Sequence, residues 1–144
     1  MKKQALFFVA HDDHLTRSLI NEGLKRAFPG CVVREFKSER ELRERLFEPG
    51  ITGVIMGACL RWCFPSANMA IPPDLAETGY AKGAAWRCWQ MLRANPATAQ
   101  TPLLVWEFST LMFRATPPED RATTYLDYRV ECLLEAISIS SAPL

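Results

Sequence analysis

The sequence predicts an α/β domain: a three-layer sandwich with a five-stranded parallel sheet between layers of helix. Three observations carry that prediction. Short apolar runs alternate with segments of helical periodicity, and the links between them are short, which suits crossover helices. The first and third runs read as buried strands, the first of them continuously apolar as a strand buried on both faces is. The length also fits. Five average strands, five helices and nine connections need about 120 residues, and the chain has 144.

The first run, Leu6-Phe7-Phe8-Val9-Ala10, is closed by His11-Asp12-Asp13-His14. In the helix that follows, Leu15, Leu19, Gly23 and Ala27 recur at intervals of four, flanked by Ile20, Leu24 and Phe28. These are the residues expected to face the core, with Asp13 as the N-cap and Pro29-Gly30 as the stop. Cys31 to Phe36 reads as the second strand. Ser38 and Glu41 have capping-box spacing and open a short helix with Leu42 and Leu46 on one face, terminated by Pro49-Gly50. Its charges, Glu39-Arg40-Glu41 and Arg43-Glu44-Arg45, read as a solvated face with pairs four residues apart. Thr52 to Met56 is the third strand.

From Leu60 to Gly79 neither period holds and three prolines intervene, so these 20 residues read as an insertion after the third strand. Helical periodicity resumes over Tyr80 to Ala94, with Ala81, Ala85, Cys88 and Leu92 on one face, and ends at Asn95-Pro96. Leu103 to Trp106 is the fourth strand. Pro117-Pro118 leaves room only for a reduced fourth helix. Thr124-Tyr125-Leu126 is a short fifth strand, Val130, Leu133, Leu134 and Ile137 mark a last amphipathic helix, and 138–144 form a tail. One domain over 1–144 is expected.

Seventeen Lys and Arg against sixteen Asp and Glu leave a net charge of +1. No basic excess exists to neutralise phosphates, so neither a nucleic-acid nor a membrane partner is expected. The apolar run 5–10 is too short for a signal peptide and no stretch is long enough to span a bilayer, which makes a cytoplasmic location the expectation. Five cysteines, with Cys31, Cys88 and Cys132 in apolar periodic segments, read as free thiols. Cys59 and Cys63, with Cys88, lack the fourth ligand of a structural zinc site. His11, Asp12, Asp13 and His14 offer imidazole and carboxylate, yet adjacent side chains seldom converge, and a cap with a solvated turn explains them. No metal or cofactor is expected. With only two histidines, at 11 and 14, a catalytic triad elsewhere lacks its base.

Ala10-His11-Asp12-Asp13-His14-Leu15-Thr16-Arg17, the stretch Trp89 to Val105 with its Thr101-Pro102, and Ala122-Thr123-Thr124-Tyr125-Leu126 together resemble the receiver domain of bacterial two-component response regulators. The resemblance runs from about Leu6 to Ile139. It implies the flavodoxin-like strand order 2-1-3-4-5. It also implies phosphoryl transfer to an aspartate ending the third strand, beside an acidic pair that holds Mg2+ and a Thr or Ser and a Lys that contact the phosphoryl group. Aligned on this sequence, the acceptor position is Gly57, the acidic pair is His11 and Asp12, the Thr/Ser is Glu107 or its neighbour Phe108, and the lysine is Tyr128. Only Asp12 keeps the family's chemistry. Glu107 reads as a surface or loop carboxylate; the alternative is that it replaces the missing acid or occupies the pocket as a fixed negative charge.

The expected function is therefore phosphorylation-independent signalling or regulation, non-enzymatic, through a protein partner or a homodimer. The candidate patch is Trp62, Phe64 and Met69 in the insertion with Trp86 and Trp89 on the third helix. It serves either as an exposed docking surface or as a small satellite core beneath the folded-back insertion. The alternative is a ligand- or metal-binding domain, or an enzyme, using a remodelled pocket of His11, Asp12, Glu107 and Tyr128.

Overall fold

The first apolar run is a strand, β1 (Leu6–Ala10), and its side chains leave the sheet on alternate sides. That alternation divides the interior in two. The computed structural model describes residues 4–63, 75, 78, 80–106 and 123–126. Among these the remaining strands are β2 (Val32–Phe36), β3 (Gly53–Gly57), β4 (Leu103–Trp106) and β5 (Thr123–Leu126). All pairings are parallel, and the order is β2-β1-β3-β4-β5. The helices are α1 (His14–Ala27), α2 (Glu39–Arg43) and α3 (Ala84–Ala94).

On one side of the sheet Phe7 and Val9 join Ile55, Leu104 and Trp106 beneath Ile20 and Leu24 of α1. On the other, Phe8, Ala10, Val54, Met56, Leu103 and Val105 pack under Leu42 and Leu46 and under Ala85, Cys88 and Leu92 of α3. Each large aliphatic or aromatic side chain buried in this way contributes about 1.5–3 kcal/mol. β3 and β4 are buried along their whole length, whereas β2, at the sheet edge, exposes most of its residues. The reduced fourth helix, the last helix, the tail and most of the insertion fall outside the described residues.

Three expectations from periodicity need correction. The inner face of α1 is Arg17, Ile20, Gly23 and Leu24, while Leu15 is 71% and Leu19 54% exposed and Ala27 is exposed too. A spacing of strictly four drifts around a helix of 3.6 residues per turn, and the core follows the 17-20-24 row. Helicity at the third segment begins later than the pattern suggests: Tyr80–Gly83 is a 3-10 turn and α3 proper starts at Ala84. Gly83 lies there because a Cβ would overlap the Thr78 carbonyl.

The third correction concerns α2, whose charges are not all solvated. It is a five-residue helix that gives way to turns before Leu46. The Ser38 hydroxyl accepts from the Glu41 N–H at 3.3 Å, but the Glu41 carboxylate reaches past the cap residue to the Lys37 N–H at 3.0 Å. Glu39 is fully buried. Its carboxylate takes a forked pair from Arg87 of α3, Nε to Oε2 at 2.8 Å and Nη2 to Oε1 at 2.6 Å, and Arg43 adds a third contact at 3.4 Å. Arg87 is itself 2% exposed and also donates from Nη1 to Thr78 Oγ1 and from Nη2 to the Tyr80 carbonyl. Hydrogen-bond saturation of this kind lets a charge pair sit inside a core.

Glu39→Gln leaves the buried Arg87 charge without its carboxylate and Arg87→Met leaves buried Glu39 only the long contact to Arg43, so each lowers the unfolding free energy by about 3–5 kcal/mol, whereas the double change Glu39→Leu with Arg87→Met recovers most of that. Urea unfolding followed by circular dichroism measures all three; single losses below about 1 kcal/mol would mean the pair behaves as a surface ion pair. Burial among apolar neighbours pushes the Cys88 thiol well above its usual range. Cys88 is then expected to react with a maleimide only at the rate of global unfolding, with Cys59 and Cys63, both half-buried, labelling first.

Candidate functional site

The strands end together. Ala10 pairs with Phe36 and lies one step from Gly57, which pairs with Trp106, which pairs with Leu126. Ligands of doubly wound sheets bind at this edge, beside the switch between the first and third strands. His11 is the first residue beyond β1 and is 7% exposed. Three contacts orient it: its N–H donates to the Phe36 carbonyl at 3.2 Å, its carbonyl accepts from Arg17 Nη1 at 2.6 Å, and its ring Nδ1 accepts from the Asp13 N–H at 2.9 Å. A backbone N–H can only donate, so Nδ1 carries no proton. Held this way, the ring lies over the last residue of β3. A Cβ at Gly57 would stand 2.9 Å from His11 Cδ2, 3.3 Å from Nε2 and 3.0 Å from the Cys59 carbonyl oxygen.

The rest of the turn is committed to local structure. Asp13 caps α1, accepting from the Thr16 N–H at 3.0 Å and the Thr16 hydroxyl at 2.6 Å, and these bonds hold its carboxyl below the usual aspartate value. The Asp12 carboxylate turns to the loop after β3, accepting from the Arg61 N–H at 3.2 Å with the Arg61 Nε 3.7 Å away. Arg17, the residue that sequence reasoning missed here, is buried, pairs with Glu35 at 3.4 Å and sets Nη2 3.5 Å from His14 Nδ1. The 17-20-24 row was the signal that would have found it. Glu107, Phe108 and Tyr128 lie outside the described residues. Among those described, no three His, Cys, Asp or Glu side chains are grouped to hold a metal ion.

The start of the insertion closes over the N-terminus of α2. Glu39 N–H donates to the Arg61 carbonyl at 2.7 Å and Arg40 N–H to the Trp62 carbonyl at 3.0 Å, so the loop satisfies amides that the helix leaves unpaired. The Leu60 N–H reaches the Ala81 carbonyl at 3.1 Å. Trp62 lies under the Arg43 guanidinium, 5.3 Å from the ring centroid, and Arg43 Nε also meets Met91 Sδ at 3.0 Å. Trp86 and Trp89 stack on each other with centroids 5.1 Å apart and an interplanar angle of 28°. Both are half-buried, and Trp89 packs against the α2–α3 core. Phe64 and Met69 fall outside the described residues. The described part of the patch is thus neither a free surface nor a closed core; its rings are half covered.

No protein-family model matches this chain, and no curated protein matches it in sequence. Solved structures do match in shape. A response regulator receiver protein from Sinorhizobium medicae superposes with a TM-score of 0.66 at 17% identity, covering 96% of this chain and 95% of that one. A receiver domain protein from Bacillus halodurans gives 0.64 at 13% identity over 98% and 100%. The receiver domain of a sensor histidine kinase from Pseudomonas aeruginosa, which holds a magnesium ion in its active-site cleft, gives 0.60 at 11% identity over 96% and 98%. The chain has the receiver fold.

On the receiver fold, the described residues bring two of the sequence-predicted pocket positions into direct contact, His11 and Gly57, and turn a third, Asp12, towards Arg61. The Asp12 carboxylate is engaged by Arg61 and Asp13 caps α1. Close packing of an imidazole on a glycine makes the two positions interdependent. Gly57→Ala is expected to destabilise by about 1–3 kcal/mol through overpacking. His11→Ala in the same chain is expected to relieve most of that clash, so the double variant loses less than the sum of the single changes. Thermal or urea unfolding of the four proteins checks it; additive losses would mean that Gly57 has room to accept a side chain.

Proposed function

We propose that this receiver-fold domain works in signalling or regulation without being phosphorylated, and that it acts by binding another protein. The single observation supporting this reading is the contact between His11 and Gly57. At the end of the third strand, where the receiver resemblance implies an aspartate, the residue has no side chain, and the space a Cβ would take lies 2.9 Å from a neighbouring imidazole carbon. Phosphoryl transfer to a receiver needs an oxygen nucleophile, a hard cation held by oxygen ligands and donors for the developing charge. Here the nucleophile is replaced by hydrogen, the acidic position before Asp12 is an imidazole, and Asp12 is held by Arg61. In the same alignment Glu107 and Tyr128 take the places of the hydroxyl and the lysine.

A fold that gives up its chemistry keeps its surfaces. The half-covered rings of Trp62, Trp86 and Trp89 adjoin the insertion, and aromatic side chains of this sort dominate the energetics of protein interfaces. The competing reading, a ligand or metal pocket at the strand ends, has less support, because His11 occupies that ground and its Nδ1 is already bonded to Asp13.

Titration with Mg2+ and beryllofluoride, followed by amide chemical shifts, tests the first half. No saturable shift at residues 11–13, 57–61 or 106 is expected up to about 10 mM Mg2+, well beyond the millimolar range in which a weak site would show. Saturation there would overturn the reading. For the second half, Trp62→Ser and Trp86→Ser are expected to abolish retention of a protein that the wild-type chain captures from its own cells and that a Lys3→Glu control still captures. Equal retention by all of them would remove the aromatic patch from the proposal.

A further inference from the structure

Trp62 carries a polar atom that the fold does not satisfy. Its indole Nε1 is buried and meets no acceptor; the one other such atom described, Arg17 Nε, has the Glu35 carboxylate at 3.4 Å. Native structures leave few buried donors in that state, because each forfeits its hydration without a bond in return. The guanidinium stacked on the same ring is almost as poorly matched. Arg43 gives Nε to the thioether of Met91, a weak acceptor, and stands 3.4 Å from a Glu39 carboxylate that Arg87 already holds by its fork. Nη2 of Arg43 meets no acceptor among the described residues, and 23% of the side chain is exposed. The acids of α2 do not fill these donors: Glu41 turns to the Lys37 N–H and Glu44 pairs with Arg40.

We propose that Trp62 and Arg43 form the seat for a carboxylate side chain of the protein partner, an Asp or Glu set between apolar residues. The inference rests on the function proposed above and gives its partner a chemistry. A carboxylate only accepts, so it suits a place that offers donors alone. Its two oxygens match two N–H groups of a guanidinium, and a charge-assisted bond of this kind is about twice as strong as a neutral one. The indole face and the Met91 thioether beside it match apolar neighbours on either side of the acid. Nε1 meets no solvent as it stands, so the ring has to turn outward to give its proton to the partner. That turn relieves a donor left unpaired inside, which offsets the cost of moving the ring. Tryptophan and arginine are also among the residues that most often carry the binding energy of an interface.

The four tryptophans give separate indole N–H signals in a nitrogen-15 spectrum of the full chain, and Trp62→Phe identifies the one from residue 62. A blocked tetrapeptide of alternating leucine and glutamate, added up to about 10 mM, is expected to move that signal downfield to saturation. The same peptide with glutamine for glutamate, and inorganic phosphate, are expected to leave it in place. Arg43→Lys, which keeps the charge and loses the planar fork, is expected to weaken the response about tenfold, and Arg43→Gln to abolish it. No saturable shift with the glutamate peptide overturns the proposal. So does an equal response to the glutamine peptide, a comparison that needs no variant to fold. An equal response to phosphate would make the spot a site for free anions and overturns it too. A flat titration beside capture of a partner that depends on Trp62 would strike this inference alone, whereas saturation by Mg2+ at the strand ends would strike the phosphorylation-independent reading and leave the seat standing.

Discussion

Among the described residues, the buried pair of Glu39 and Arg87 ties together more elements than any other side-chain contact. It joins α2 to α3 across one face of the sheet, and its spare hydrogen bonds reach Thr78 and the Tyr80 carbonyl, which brings the end of the insertion against the start of α3. The other end of the insertion is tied to the same helix, since Arg61 and Trp62 offer carbonyls to the amides of Glu39 and Arg40. A five-residue helix is too short to be stable by itself. It persists because its first amides, its one buried acid and its leucine all find partners outside it. Such a pair adds little net stability over an apolar pair of the same shape. Its effect is positional: α2, the end of the insertion and the turn before α3 each supply an acceptor to Arg87, which ties their placements together.

The strand ends show a second constraint of the same character. His11 is held through its backbone by β2 and Arg17 and through its ring by the Asp13 amide, so the imidazole has one position and Gly57 yields to it. Glycine at 57 and histidine at 11 are one packing solution in two parts. A side chain at 57 would need the ring to move, and with it the Nδ1 bond to the Asp13 amide at the start of α1. Among the described residues, the His11 imidazole lies at the edge where doubly wound folds place their ligands.

The aromatic rings near α3 and the aliphatic stripe on α1 lie on elements that pack against opposite faces of the sheet. The described residues thus carry two distinct apolar features, one of half-covered rings and one of the exposed Leu15 and Leu19. The first adjoins the insertion, the second the turn that carries His11.

Alternation of apolar runs with helical periods, read from the chain alone, determined the layers, the parallel strands and their bounds to within a residue, the Asp13 cap, and the glycine at the end of β3. These follow from local rules: a strand buried on both faces must be apolar throughout, and a helix start needs an acceptor for its free amides. The placement of charge was decided only by the tertiary structure. Glu39 and Arg43 belong to one run of charges in sequence, yet one is sealed in the core and the other caps a tryptophan, because the partner that admits Glu39, Arg87, lies 48 residues away. A spacing of four points Leu15 and Leu19 inward and passes over Arg17 for the converse reason. A helix has several faces that read as apolar, and which of them turns inward is set by the sheet beneath and by the carbonyl of His11 and the carboxylate of Glu35 that draw Arg17 in.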